Sequence, residues 1–208
     1  MPNIELIHDD CMNVMAKYPD NYFQLAICDP PYGIGKDGQK QTTGGHGGRK
    51  AHQQKGWDSK RPEASYFNEL FRVSKNQIIW GANYYPEYLK GTMGWVFWDK
   101  GQDINQSDGE LAFTSFDCKF RRVIMNRVEL LLEGTIHPTQ KPIRLYKWLL
   151  KNYAKPGDRI LDTHLGSGSS AIAAHDGGFD FVGCEIDADY YMAARQRFDY
   201  HRMQMKLF

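Results

Sequence analysis

Residues 160–170 read Ile160-Leu161-Asp162-Thr163-His164-Leu165-Gly166-Ser167-Gly168-Ser169-Ser170 and predict a strand, a glycine turn and the start of a helix. The glycines let the backbone pass close to a ligand. The free N–H groups of a helix start attract a carboxylate or a phosphate. The turn alone is a weak indication of function, because dinucleotide-binding enzymes use similar turns. A strand that enters a helix through such a turn is one unit of an α/β fold.

The strand that follows in sequence narrows the range of ligands that the glycine turn is expected to bind. It reads Phe181-Val182-Gly183-Cys184 and ends in Glu185-Ile186-Asp187, which places an acidic side chain to accept both hydroxyls of a ribose. No Gly-Lys-Ser/Thr sequence follows the glycine turn, which disfavours a nucleoside triphosphate. A ribose together with an amino-acid carboxylate fits S-adenosylmethionine, so we expect this cofactor, with S-adenosylhomocysteine as its product.

The rest of the chain continues the alternation of strands and helices. With 208 residues and 24.0 kDa the chain is long enough for one well-buried core, so we predict a single domain over residues 1–208. The pattern predicts an α/β fold with one doubly wound, mainly parallel sheet and ligands at the carboxyl ends of its strands. The predicted strands are Ile4–His8, 24–28, Asn76–Trp80, Gly94–Trp98, Phe120–Met125, Arg159–Asp162 and Phe181–Glu185; the predicted helices cover about 10–18, Glu63–Val73 and Ile143–Tyr153, or begin at Ser169 and Ala188.

A stiff turn follows the strand 24–28 and reads Asp29-Pro30-Pro31-Tyr32. Two prolines cannot continue a strand ladder, so the backbone must leave the sheet and present Asp29 and Tyr32 outward. The Asp29 carboxylate and the Pro30 carbonyl can accept hydrogen bonds from an exocyclic amine, and the Tyr32 ring can stack on a heterocycle. The simpler interpretation is an ordinary turn at the end of a strand.

A second polar motif, His137-Pro138-Thr139-Gln140-Lys141-Pro142, leads into the helix Ile143–Tyr153. Thr139 is a plausible N-cap, and Pro142 is tolerated at a helix start. A capped helix and nothing more would explain it. We favour a functional role, because the segment directly precedes the cofactor strand.

These motifs together resemble the beta group of DNA adenine (N6) methyltransferases, which carry the Asp-Pro-Pro-Tyr motif first and the glycine turn last. The resemblance covers most of the chain, including Asp9-Asp10-Cys11 and the segment 77–83. It implies a Rossmann-like methyltransferase fold with a permuted motif order. It implies that Asp29, Pro30, Pro31 and Tyr32 are catalytic, and that the cofactor is bound by Asp10, Cys11, Asp29, His137, Thr139, Asp162, Leu165, Gly166, Ser167, Gly168, Ser169, Glu185 and Ile186.

The implied reaction moves a methyl group from the sulfonium to the N6 amine of adenine. Hydrogen bonds to Asp29 and to the Pro30 carbonyl would localise the lone pair of the amine for in-line attack, and no metal is needed. A base inside a duplex cannot reach such a site, so it must be flipped out and stacked, with Tyr32 as the platform.

Two departures from the family pattern leave alternatives open. The chain has Asp162-Thr163-His164 where the family usually has Asp-Pro-Phe, and the segment 100–136 is small for a target-recognition region. The alternatives are N4-cytosine methylation, in which Ser more often stands at the position of Asp29, and a protein that binds the cofactor and DNA without turnover.

Double-stranded DNA is the expected partner, although the net charge of +1 provides no overall basic field. A basic loop over residues 33–61 is predicted to be mobile without DNA and to order on phosphates; a solvated linker is the simpler interpretation. A second basic segment alternates with apolar residues near residue 120. The predicted DNA contacts are Lys36, Arg49, Lys50, Lys55, Trp57, Lys60, Arg61, Lys119, Arg121 and Arg122.

The four cysteines are scattered and read as reduced thiols of an intracellular protein. The N-terminus lacks a basic region followed by an apolar stretch, and no run has membrane-spanning length. We therefore expect a cytoplasmic, prokaryotic or phage-like protein without a membrane partner; the sequence leaves open whether it forms a homodimer.

Overall fold

The strands of the protein lie side by side in one sheet. The structure is a computed structural model that describes residues 1–38, 51–102, 107–126, 130 and 133–204. Within these residues the strands are β1 (Ile4–His8), β2 (Phe23–Cys28), β3 (Ser74–Trp80), β4 (Trp95–Asp99), β5 (Gly109–Thr114), β6 (Arg121–Ile124), β7 (Arg159–Asp162) and β8 (Asp180–Glu185).

The order of the strands across the sheet is β1-β8-β7-β2-β3-β5-β4-β6. Neighbouring strands are parallel except at β5, which pairs antiparallel with both β3 and β4. The chain builds β1, β2 and β3 first and later inserts β7 and β8 between β1 and β2. This is the mainly parallel, doubly wound α/β sheet that the sequence predicts, so the fold class is confirmed.

Helices cover both faces of the sheet. They are α1 (Cys11–Met15), α2 (Ala64–Val73), α3 (Ile143–Tyr153), α4 (Ser169–Gly177) and α5 (Ala188–Gln204). The buried residues of α1 and α2 share one apolar cluster, and those of α3, α4 and α5 share the other. None of the described helices is long and apolar enough to cross a membrane.

The side chains of β2 show why both faces need a helical layer. Leu25 and Ile27 point into the cluster beneath α3, α4 and α5, whereas Ala26 and Cys28 point into the cluster beneath α1 and α2. Side chains alternate between the faces of a strand, so a continuous apolar run requires cover on both faces.

Most predicted elements are present, with shifted ends. The first helix ends at Met15 rather than near Tyr18, and the turn after β3 is a short 3-10 helix, Ala82–Tyr84. The sequence reading missed β5 altogether. Because β5 runs antiparallel to β3, its first residues lie at the edge where β3 ends.

Candidate active site

The Asp29-Pro30-Pro31-Tyr32 turn leaves the sheet directly after β2, as predicted. The Tyr85 hydroxyl lies 2.9 Å from the Pro30 carbonyl oxygen and 2.5 Å from that of Pro31, and it donates to these carbonyls. The sequence predicts the Pro30 carbonyl as an acceptor for a target amine. In the structure it already accepts from Tyr85, so the hydroxyl fixes the direction of the turn.

Four charged side chains form a chain beside this turn. Lys141 Nζ contacts Asp29 Oδ2 and lies 2.9 Å from Glu110 Oε2. Lys100 Nζ lies 2.8 Å from Glu110 Oε1. The Lys141 side chain is only 2% exposed and that of Asp29 16%. Buried charges require partners, and in this row of four side chains two carboxylates alternate with two ammonium groups.

Burial and pairing set the charge state of these carboxyls. Burial raises the pKa of Asp29, the Lys141 ammonium opposes that rise, and the nearby Glu110 carboxylate adds to it. Burial also raises the pKa of Glu110, but Lys141 and Lys100 outweigh it and bring the value to about 2. The pKa of Lys141 is raised because Asp29 and Glu110 outweigh its desolvation.

Tyr32 packs more tightly than the sequence suggests. Its hydroxyl donates to Asp29 Oδ1 at 2.6 Å, and its ring stacks on Tyr84 with 4.9 Å between the centroids. A Cβ at Gly81 would overlap the Tyr32 ring, and Gly81 has a φ of 66°, so only glycine fits there. The ring predicted to present itself outward as a base platform is thus half-buried, with Tyr84 on one face.

A cavity of about 630 Å³ opens over the turn Asp29-Pro30-Pro31-Tyr32, which we name the catalytic turn after its predicted role. Its volume falls in the usual range for small-molecule sites, and it combines aromatic walls with charged groups. The wall is formed by the catalytic turn, the basic loop, the 3-10 helix after β3, the strands β4 and β5, and the segment before α3. Its residues include Asp29, Tyr32, Trp57, Tyr84, Phe97 and Lys141.

The glycine turn lies at the ends of β7 and β8. The backbone N–H of Gly166 donates to Glu185 Oε2 at 2.9 Å, and that of Asp187 donates to Glu185 Oε1 at 3.0 Å. Gly166 and Gly168 have φ values of 52° and 73°, which explains both glycines. The Glu185 carboxylate is therefore fixed beside the turn, where the sequence predicts a ribose acceptor.

Asp162 holds the start of the same turn. Its carboxylate accepts from the Ser170 hydroxyl at 2.6 Å and from the His164 backbone N–H at 3.0 Å. Burial raises the pKa of Asp162 to about 7, and these two hydrogen bonds oppose that rise. Asp162 therefore closes the turn by hydrogen bonds within its own segment.

His164 takes the place of the aromatic residue that the resemblance implies. Its ring lies edge-on to Tyr66, with 5.4 Å between the centroids, and its Nδ1 is 2.9 Å from the Thr163 hydroxyl. Burial lowers the pKa of His164 to about 4. The imidazole is therefore neutral near pH 7 and packs as a polar aromatic ring.

Asp10 and Cys11 lie near Glu185, because β1 pairs with β8 and aligns His8 with Glu185. Asp10 is the N-cap of α1 and accepts from the Met12 N–H at 2.7 Å. Burial raises the pKa of Cys11 to about 12, so its thiol is protonated. Their role in binding a cofactor stays a prediction.

The other predicted cofactor residues lie around the glycine turn and differ in their contacts and exposure. The His137 ring approaches Gly166 and packs on Tyr190 at 4.4 Å. The hydroxyls of Ser167 and Ser169 lie 3.0 Å apart and are buried. The remaining three differ in exposure and contacts: Leu165 is buried, Ile186 is 62% exposed, and Thr139 lies against His137 through its hydroxyl.

A side chain that the sequence did not single out holds the two serines. Arg197 Nη1 donates to the Ser167 carbonyl and to the Ser169 hydroxyl, each at 2.9 Å. Its Nη2 lies 2.9 Å from Glu133 Oε2. Arg197 of α5 thus holds the backbone of Ser167 and the hydroxyl of Ser169, and the role of both serines at the methionine end of a cofactor remains a prediction.

The two described ends of the basic loop, residues 33–38 and 51–61, are tied to each other. Asp58 accepts from the backbone N–H groups of Gly33 and Lys36 at 2.8 and 2.7 Å. Asp37 accepts from those of Lys55 and Gly56. Both carboxylates are buried. These contacts hold the two described ends of the loop together, and the mobility of the loop without DNA stays a prediction.

The segment 51–61 lies over the glycine turn rather than projecting from it. Lys55 Nζ is 2.6 Å from Asp187 Oδ1 and 2.6 Å from Asp189 Oδ2. The Trp57 ring packs on His137, with 5.1 Å between the centroids. In the structure Lys55 and Trp57 thus contact the acidic start of α5 and the segment before α3. Their contact with DNA stays a prediction.

The other predicted DNA contacts divide into paired and exposed side chains. Arg61 pairs with Glu87 at 3.0 Å, and Arg122 pairs with Asp99. Arg49 and Lys50 lie outside the described residues. Exposed positions are occupied by Lys36, Lys60, Lys119 and Arg121. Their contacts with DNA stay predictions.

Sequence reasoning missed the charged neighbours of Asp29, which are its counter-charge Lys141 and the second carboxylate, Glu110. Lys141 belongs to the motif 137–142 that the sequence marks as functional, so its place before the cofactor strand was a signal. Glu110 carried no such signal, because it lies on the strand that the pattern did not predict. Both reach Asp29 only through the pairing of distant strands and segments.

Comparison with known proteins assigns this arrangement to a class. A family model described as DNA methylase matches residues 95–196. The protein named "Putative methylase YubD" of Escherichia coli (strain K12) is 25% identical over 211 residues, which span 92% of this chain and 88% of YubD.

Two solved structures share the fold. The M1.HpyAVI–SAM complex matches 94% of this chain and 99% of its own chain, with a TM-score of 0.63 and 17% identity. The cytosine-N4-specific PvuII DNA methyltransferase matches 95% of this chain and 87% of its own, with a TM-score of 0.65 and 12% identity. The DNA methylase family model therefore matches just under half of the chain, and the fold is one that solved DNA methyltransferases share.

Proposed function

We propose that this protein transfers a methyl group from S-adenosylmethionine to the N6 amino group of adenine in double-stranded DNA. The observation that supports it most is the Asp29 carboxylate, which stands at the end of β2 in the wall of the cavity. A carboxylate at this position accepts hydrogen bonds from an amine, and aromatic rings beside it provide stacking surface.

The proposed reaction requires a base that has left the duplex. The cavity is lined by Asp29 and by the stacked pair Tyr32–Tyr84, so a flipped base would place its amine at Asp29 and its ring against this pair. The amine nitrogen attacks the sulfonium methyl in line, and the carbon–sulfur bond breaks as the carbon–nitrogen bond forms. The N–H proton is released after transfer.

The cofactor would lie at the ends of β7 and β8, next to the catalytic turn at the end of β2. Glu185 would accept the ribose hydroxyls, as the resemblance implies, and its fixed orientation on Gly166 and Asp187 suits that task. One solved structure with this fold is a complex with SAM. β7 lies directly beside β2 in the sheet, which supports the proposal, because the methyl donor and the amine that accepts the methyl group would then lie at the same edge.

Methylation of the N4 amine of cytosine is the second candidate, because a cytosine-N4-specific enzyme has the same fold. Asp29 favours adenine, since the family resemblance associates Ser with the cytosine enzymes. The deciding experiment is incubation with cofactor labelled in its methyl group and mixed-sequence duplex DNA, followed by nucleoside analysis. Label in N6-methyl-2′-deoxyadenosine supports the proposal, and label in N4-methyl-2′-deoxycytidine supports the second candidate. Cofactor binding without labelled nucleoside would contradict both.

A further inference from the structure

Lys141 lies beneath the catalytic turn with all of its hydrogen-bonding capacity engaged. Its ammonium contacts Asp29, lies 2.9 Å from Glu110 and lies 3.5 Å from the Tyr32 hydroxyl. An ammonium group has three N–H donors and no acceptor. Because its partners belong to the protein, Lys141 is placed to act on Asp29 and not to bind a substrate directly.

The charge of Asp29 decides what it can do at an amine. An ionised carboxylate only accepts hydrogen bonds, whereas a protonated carboxyl also donates one. Burial disfavours the ionised form. A buried Asp29 without a counter-charge would therefore take up a proton and lose part of its ability to accept hydrogen bonds from the target amine.

The surroundings of Asp29 contain several polar groups on different elements. Tyr32 of the same turn donates to it at 2.6 Å, and Glu110 of β5 is close enough to repel it. Asp162 at the end of β7 and Tyr146 of α3 also interact with its charge. Among the described residues, Lys141 is the cation that makes direct contact with Asp29.

Glu110 and Lys100 complete the arrangement by holding Lys141 in place. Glu110 lies between the two ammonium groups, at 2.9 Å from Lys141 and 2.8 Å from Lys100. The pKa of Glu110 is about 2, so its charge persists at all working pH values. Lys141 is thus anchored on both sides and does not need to move when a base enters the cavity.

We propose that Lys141 is a positioning residue for methyl transfer, which supplies the counter-charge that keeps Asp29 an ionised hydrogen-bond acceptor and aims its carboxylate at the target amine. The proposal rests on the proposed function, whose substrate amine Asp29 serves. It assigns the lysine of the segment 137–142 to the reaction rather than to the cofactor or to DNA.

The test compares the pH dependence of kcat in the parent, in Lys141→Met and in Lys141→Arg. The methionine is one atom shorter than the lysine and removes the charge; the arginine keeps the charge. We expect kcat of Lys141→Met to fall at least ten-fold below the parent at the acidic end of the pH profile and to recover as the pH rises, because Asp29 then ionises. Lys141→Arg should have a lower kcat with a pH profile like that of the parent.

Two results would overturn the proposal. One is a Lys141→Met/parent ratio of kcat that is the same at every pH, which would indicate a purely structural role. The other is a Lys141→Arg profile that shifts as much as that of Lys141→Met, since the charge would then be irrelevant. The matched control is Lys147→Met, which removes an ammonium that pairs with Asp176 at 2.7 Å outside the cavity and should leave the profile unchanged.

A second measurement does not depend on turnover. The side-chain carboxyl carbon of Asp29, labelled with ¹³C and assigned through Asp29→Asn, should titrate at higher pH in Lys141→Met than in the parent. Equal titration midpoints would overturn the proposal even if the variant were inactive.

If the parent transfers no methyl group to DNA, the proposed function fails, but a shifted midpoint still supports the role of Lys141. If Lys141→Met does not fold, the same comparison uses the double variant Lys141→Met/Glu110→Gln, in which Asp29 lacks its direct cation and has one anion fewer nearby. The titration midpoint of Asp29 in the double variant should still exceed that in Glu110→Gln alone. Equal midpoints in these two variants would overturn the proposal.

Discussion

The two turns at the carboxyl edge of the sheet are built in different ways. The glycine turn after β7 is closed by nearby groups, such as Asp162 with Ser170 and Gly166 with Glu185. The catalytic turn after β2 is held by Lys141 and Tyr85, which lie far away in sequence. The first arrangement can be recognised as a motif. The second exists only when β5 and the segment before α3 have packed beside β2.

This difference predicts where single substitutions act. At the catalytic turn, a substitution should affect the transfer step, because the proposed position of the reacting amine is beside Asp29. At the glycine turn, it should affect cofactor binding or local stability, because this turn is the proposed cofactor site.

The largest effect is expected for Asp29→Ala. It removes the acceptor for the target amine, and loss of one preorganised hydrogen-bonding group typically lowers kcat by about 10²–10³-fold. Methyl transfer in single turnover measures this, and calorimetry should find cofactor binding changed much less. Near-normal turnover would exclude Asp29 as the catalytic carboxylate, and a loss of cofactor binding equal to the loss of rate would remove the functional distinction between the two turns.

Glu185→Ala should act in the opposite way. It deletes the proposed ribose acceptor and the partner of the Gly166 N–H, and we expect weaker cofactor binding by about 1–3 kcal/mol, the usual cost of losing a charged hydrogen-bond partner. Glu185→Gln keeps the size and one acceptor and serves as the control. Unchanged cofactor affinity in the alanine variant would mean that the ribose lies elsewhere.

His164→Phe tests how pH acts on the glycine turn. The pKa of His164 is about 4 in the folded protein, below its ordinary value of 6.5, so the folded state binds fewer protons between these values. Its contribution to the free energy of unfolding is therefore present above about pH 6.5 and is lost as pH falls toward 4.

Phenylalanine has no titratable group. The difference in the free energy of unfolding between His164→Phe and the parent should therefore change between about pH 6.5 and pH 4, by less than about 1.4 kcal/mol per pH unit. Chemical denaturation at several pH values measures it. Asp162 and His137 titrate in both proteins and cancel in the difference. A difference that is constant from pH 7 to about pH 4 would contradict the buried neutral imidazole.

The smallest effects are expected in the basic loop, where Lys55 and Lys60 form a matched pair. Lys55→Ala removes the ammonium that binds Asp187 and Asp189, and should weaken cofactor binding by about two- to five-fold, the scale of a surface ion pair. Its DNA salt dependence should match the parent. Lys60→Ala, at an exposed position, should instead lower the salt slope of DNA binding by about one unit.

Reversed outcomes for these two lysines would support the prediction that Lys55 contacts DNA. Cofactor affinity from calorimetry and DNA affinity at several salt concentrations provide both readouts for each variant.

Charge alone could not assign the lysines of this loop. The sequence shows a basic segment after a catalytic motif, and phosphate contacts are the natural interpretation. The structure places Lys55 against the acidic start of α5, more than a hundred residues away in the chain. An ion pair depends on which surfaces meet, so composition cannot distinguish a lysine that binds DNA from one that closes the protein on itself.

The sequence by itself determined the α/β class, both turns and the identity of Asp29 and Glu185 as candidate residues. These follow from strand periodicity, from prolines that stop a ladder and from glycines at positive φ, which are local properties of the chain. The tertiary structure alone decided the position of β5, the partners of Asp29 and the packing of Tyr32 on Gly81 and Tyr84. These depend on contacts between segments that are distant in sequence, which are set by strand pairing and by the need to neutralise buried charge.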